Sequence, residues 1–188
     1  MRAIWTRLAL GIATLALTLV SGAANAACDV MTGGGFIIVK SNNGPAKANF
    51  GGAGGCKDGT PTFGHLEYID HGIRLNAHGT SITAYIEQPI GVRGICGKAR
   101  TNLPSPNDNV DFVVRAKDAG EPGVMDEFDI QLTQGGARAL VYTTAVPGDY
   151  PHRLNRGNGG GGNIQLKKPT TGDFSPLNQS TCPANFPG

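Results

Sequence analysis

The chain has 188 residues, with 16 Lys and Arg against 14 Asp and Glu, and 39% of its residues are hydrophobic. A formal charge of +2 without any basic cluster excludes the strongly charged surface that nucleic-acid binding needs.

Residues 1–26 read as a signal peptide and are set apart from the fold. Arg2 and Arg7 give a positive start, "LALGIATLALTLV" has the length of a signal-peptide core, and "ANA" ending at Ala26 is a small-residue cleavage box. The apolar run is too short for a membrane span. Asn25 stands where a lipobox needs Leu or Val, so release after Ala26 is expected rather than lipid on Cys28. Cleavage removes two basic residues and no acidic one, which brings the charge to zero, and it removes the only tryptophan, Trp5. The exported chain, Ala27 to Gly188, has the size of one domain.

Four cysteines, Cys28, Cys56, Cys96 and Cys182, survive cleavage. An even count in an exported chain predicts two disulfides, and the absence of any CxxC spacing argues against a redox pair or a zinc knuckle. Three connectivities are possible. The outlying positions of Cys28 and Cys182 favour a bond between them, with Cys56–Cys96 inside.

From there the chain is a series of short alternating runs punctuated by glycine, of which there are 29. In "VDFVVRAKD", Val110, Phe112, Val114 and Ala116 share one face, opposite Asp111, Arg115 and Lys117. In "EFDIQLTQ", Phe128, Ile130 and Leu132 alternate with Glu127, Asp129, Gln131 and Thr133. No segment after residue 26 sustains helical spacing. Strands are predicted at 35–40, 46–51, 63–70, 73–78, 81–87, 92–99, 109–117, 127–134, 138–144 and 162–168. This implies an all-β fold, an antiparallel β-sandwich of about ten short strands stabilised by disulfides and spanning 27–168. Pro147 to Gly162 reads as a long glycine-rich loop, and 169–188 as an irregular proline-rich tail tied by Cys182.

"HLEYIDHGIRLNAH", residues 65–78, carries three of the four histidines. Pairing its two halves around a two-residue His71–Gly72 turn puts Leu66, Tyr68, Leu75 and Ala77 on the core face. His65, Glu67 and His78 then fall on the other face, where His65 opposes His78. Two imidazoles and a carboxylate are a possible transition-metal triad, and the basis of a metal-dependent hydrolase. The simpler reading, and the one preferred, is the wet face of a half-exposed sheet.

In "DAGEPGVMDEF", residues 118–128, Asp118, Glu121 and Asp126 offer hard oxygens around a Pro–Gly turn and could hold calcium, although an EF-hand's spacing is missing. "GNGGGGNIQLKK" lacks the Gly-Lys-Ser/Thr of a phosphate loop and runs into a strand. No GxSxG elbow or HExxH motif is present, so no catalytic residues are assigned and an enzyme is not expected.

The phrases "MTGGGFI", "GPAKANFGG", "GHLEYIDH", "AHGTSITAY", "DAGEPGVMDEFDIQL" and "GGGNIQLKK", in this order over nearly the whole exported chain, resemble the post-COAP-1 domains of secreted bacterial proteins. The resemblance implies an extracellular all-β module without an assigned enzyme activity or catalytic residues. The expected function is a non-catalytic β-module, secreted or periplasmic, that builds bacterial surface structure or binds an envelope or extracellular partner. Its partners would include no nucleic acid, and it would have no integral membrane span. The alternatives are a carbohydrate-binding module using Tyr68, Tyr85, Tyr142 or Tyr150, and the metal-dependent hydrolase above. No cofactor is expected apart from calcium at the acidic loop.

Overall fold

The computed structural model describes residues 29–41, 44–57, 60–88, 90–134, 139–155 and 159–167. The signal segment, Cys28, Cys182 and the proline-rich tail lie outside the described residues, as does the side chain of Cys56.

Among the described residues, nine antiparallel strands form one sheet: β1 (Val30–Ser41), β2 (Gly44–Lys57), β3 (Thr60–Asp70), β4 (Leu75–Glu87), β5 (Val92–Thr101), β6 (Asn109–Lys117), β7 (Glu127–Gln134), β8 (Leu140–Thr143) and β9 (Gly161–Lys167). The order is β8-β7-β6-β5-β4-β3-β2-β1-β9, so eight strands meander in sequence and the ninth pairs with the first. Alternation along a strand specifies a dry face and a wet one. It does not specify how many ladders the strands join, which is why one sheet is found where the pattern suggests two.

The sheet is rolled. Phe50 on β2 and Phe128 on β7 are separated by five ladders, about 24 Å in a flat sheet at the usual strand spacing. Their rings nevertheless stack at 3.8 Å between centroids. Tyr68 on β3 likewise meets Tyr142 on β8, hydroxyl to hydroxyl at 2.6 Å. The inward residues of eight strands join in one core that includes Ile37, Phe50, Tyr68, Leu75, Phe112 and Ile130. At the start of β1, Asp29 accepts hydrogen bonds from Arg93 at 2.5 Å and from the Tyr85 hydroxyl at 2.5 Å, which fastens it to β4 and β5.

β6 and β7 have the boundaries predicted from alternation. Elsewhere glycine misleads. The predicted strands 73–78 and 81–87 are one strand, because a register shift between Gly79 and Ser81 absorbs the apparent break as a bulge. β1 and β2 run straight through their glycine-rich stretches. A Cβ at Gly33 would lie 2.8 Å from the Asn163 carbonyl oxygen, and one at Gly54 would lie 2.7 Å from the Ile95 side chain. These glycines permit close approach between strands and do not end them. The outer face of β7 is also dry: Glu127, Asp129 and Thr133, expected outside, are buried because residues 144–154 run against this strand.

Candidate functional site

The β3–β4 hairpin keeps the predicted faces and changes the register. Its turn has four residues, His71 to Arg74, and the pairs are Glu67–His78, Tyr68–Ala77, Ile69–Asn76 and Asp70–Leu75. The Asp70 carboxylate accepts the Gly72 N–H at 2.7 Å, an Asx turn that favours the longer loop. Asn102 braces the far side, donating to the Arg74 carbonyl at 2.8 Å and accepting from the Asn76 N–H at 2.9 Å. The two-residue shift preserves side-chain parity, so Leu66, Tyr68, Leu75 and Ala77 are buried while His65, Glu67 and His78 are exposed. It also changes which pair meets: Glu67, not His65, is directly opposed to His78 and hydrogen-bonded to it, and on the other side of β3 His65 pairs with Ala53 of β2.

The acidic loop fastens the sheet. Asp118 accepts the Leu166 N–H and Asp126 the Ile164 N–H, each at 2.7 Å. Glu121 accepts from the side-chain amides of Gln165, at 2.7 Å, and Asn163, at 3.2 Å. β9 is paired with β1 on one side only, and these carboxylates satisfy two backbone donors of its other edge. Burial pushes the Asp126 carboxyl above the ordinary carboxylate range, against the hydrogen bonds from Ala119 and Ile164; Asp118 and Glu121 add like charge. Among the described residues, no group of three His, Cys, Asp or Glu is arranged to hold a metal ion.

The most developed polar constellation centres on His152, which sequence reasoning missed. Asp129 is fully buried on β7. It accepts the Thr144 hydroxyl at 3.0 Å and the His152 N–H at 3.2 Å, and lies 2.7 Å from His152 Nδ1. On the other side of the ring, Asp149 Oδ2 is 3.5 Å from Nε2, and Asp149 Oδ1 meets Lys40 Nζ at 2.7 Å. Burial raises the Asp129 carboxyl, opposed by the hydrogen bonds from His152 and Thr144. Burial also pushes Asp149 upward, but the hydrogen bond from Lys40, the positive charge that a protonated His152 would carry and the charge of Lys40 together hold that carboxyl below its usual range. The one hint in the sequence is an aspartate in the middle of the strongest strand. Its partner lies 23 residues away in a loop without periodicity.

The four tyrosines differ in what they can offer a sugar. Tyr68 and Tyr142 hydrogen-bond to each other, and Tyr142 and Tyr85 donate to Asp70 and Asp29; burial raises all three hydroxyls. Tyr150 lines an open cleft with Ile38, Lys40, Pro45 and His152, and the Arg115 guanidinium lies 5.5 Å from its ring centroid.

At one end of the roll, two loops present apolar side chains to solvent. Ile90, in the β4–β5 turn, is 85% exposed, and Val124 and Met125 in the acidic loop are also exposed. A hydrogen bond from Asp118 N–H to the Gly91 carbonyl, 3.1 Å, joins the two loops. Ile90 has φ 61°, in the left-handed region that β-branched residues rarely enter.

Cys96 is disulfide-bonded. The pairing among the four cysteines falls on side chains outside the described residues. No helix among the described residues is long and apolar enough to cross a membrane. Comparison with family models, with curated proteins and with solved structures returns no match.

Proposed function

We propose that the chain is an exported, non-catalytic β-module of a bacterial envelope or extracellular space, and that it works by binding a partner through the loop end carrying Ile90. The observation that carries this reading is Ile90 itself. A β-branched residue at positive φ costs on the order of 1–2 kcal/mol, and 85% exposure recovers little of it through burial. Folding alone favours glycine or asparagine at such a position. An apolar contact supplied by a partner is a physical reason to keep isoleucine. The resemblance to post-COAP-1 domains, the signal-peptide pattern and the four cysteines, read as two disulfides, support export. The engagement of the acidic-loop carboxylates with β9, and of Glu67 with His78 across the hairpin, supports reading both stretches as part of the frame.

Carbohydrate binding is the second reading, and the position of Tyr150 in the lining of an open cleft supports placing it there.

The test is capture from envelope fractions by immobilised protein, compared with an Ile90→Asp variant of unchanged melting temperature. The reading expects a defined partner that wild type retains and the variant loses. Equal capture by both, or none by either, would refute the placement. A glycan array that lights up and depends on Tyr150 would move the function to the cleft.

A further inference from the structure

Among the described residues, His152 Nε2 is a buried nitrogen without a hydrogen-bond partner. The imidazole is only 7% exposed, and its other nitrogen is committed to Asp129, a carboxylate with 0% exposure. A carboxylate against Nδ1 holds the ring proton there, so in the neutral ring Nε2 carries the lone pair. That lone pair faces another acceptor, since Asp149 Oδ2 stands 3.5 Å away. The gap is longer than an N–H···O hydrogen bond. Two lone-pair carriers facing across it leave a place between them for a cation, either a proton on the ring or a metal ion. Donors about 2.0–2.2 Å from a tetrahedral ion stand about 3.3–3.6 Å apart, and the observed spacing falls in that range. The approach is through the cleft lined by Ile38, Lys40, Pro45 and Tyr150.

We propose that His152 Nε2 and Asp149 Oδ2 form an open binding site for a divalent transition metal of the zinc class, with Asp129 as the positioning carboxylate behind the histidine. Imidazole and carboxylate are donors this class accepts, and water from the cleft completes the coordination. The carboxylate–histidine–metal arrangement orients the ring and makes Nε2 a better donor. Lys40 opposes the ion, because its Nζ holds the same carboxylate at 2.7 Å. The site shares no residue with the hairpin or the acidic loop, and it stands whether or not the Ile90 end binds a partner.

The experiment is a titration of purified protein with Zn2+ alone against a competing indicator. One ion per chain is expected. Even outer-shell partners are worth about 10–100-fold in metal affinity, so Asp149→Asn, which removes a direct donor, should weaken binding by at least about tenfold. Lys40→Gln should tighten binding by freeing the carboxylate, and His78→Ala should leave it unchanged. Because His152 variants risk misfolding, the ring is followed in the wild type by long-range proton–nitrogen spectra, where Zn2+ should shift the His152 Nε2 resonance. No uptake at millimolar Zn2+, uptake indifferent to Asp149→Asn, or an unmoved Nε2 resonance would each overturn the proposal. A His152 imidazolium shared between the two carboxylates is the competing arrangement, and it predicts those results.

Discussion

Two of the histidine–carboxylate pairs among the described residues sit under opposite physical conditions. His78 and Glu67 face each other across β3 and β4 with side chains 66% and 53% exposed. His152 and Asp129 meet with side chains 7% and 0% exposed. Water screens the first pair and competes for its hydrogen bonds, so pairs of this kind contribute about 0–1 kcal/mol. The second pair has no water to fall back on. Removing one partner leaves the other desolvated and unsatisfied, at a cost several times larger. The stretch densest in histidine is therefore an outer face, while the isolated histidine is tied into the frame.

Substitutions can sharpen or break this contrast. Leu75 lies on the buried face of the exposed pair's own hairpin, and Leu75→Ala should cost about 2–5 kcal/mol in urea denaturation. A silent Leu75→Ala would mean that the hairpin faces are reversed. Asp126→Ala strands the Ile164 and Ala119 N–H groups and should cost about 1–3 kcal/mol. Hydrogen exchange should then show the Ile164 amide opening first, and continued protection would contradict the closure of β9 by this loop. At the small end, His78→Ala should change stability by less than about 0.5 kcal/mol. A loss matching that of Leu75→Ala would contradict the outer-face reading.

Acidity separates the buried carboxylates from the exposed ones as well. The folded Asp126 carboxyl titrates above its ordinary value, so the folded chain holds that proton more tightly than the unfolded chain. Its contribution to stability is full below the unfolded carboxylate pKa of about 3.9 and is lost as pH rises through the raised folded value. The advantage of wild type over Asp126→Asn should therefore narrow from about pH 4 towards neutral. Denaturation series for the two proteins check this, and a gap that widens with rising pH would contradict it.

Much of the fold was legible because alternation is a local property. β6 and β7 have the boundaries their period-two pattern gives, and Leu66, Tyr68, Leu75 and Ala77 face inward as their parity requires. Alternation cannot separate two registers that differ by two residues, since both keep the same faces. The turn decided between them, through the Asp70 carboxylate on the Gly72 N–H. Glycine was misread at Gly33 and Gly54, where the reason for it is a neighbour distant in sequence. The acidic loop stood out as a group of oxygens. Its acceptance of the Ile164 and Leu166 amides, 38 and 48 residues away, was not legible. Asp129 was assigned to the wet side of β7 because nothing local indicates that residues 144–154 cover it.

Two carboxylate deletions measured side by side test the contrast most directly. Asp129→Ala removes the buried partner of His152, and Glu67→Ala the exposed partner of His78. Urea denaturation at neutral pH should show Asp129→Ala losing about 3–5 kcal/mol and Glu67→Ala less than about 0.5 kcal/mol. Equal losses, or a larger loss from Glu67→Ala, would contradict the account.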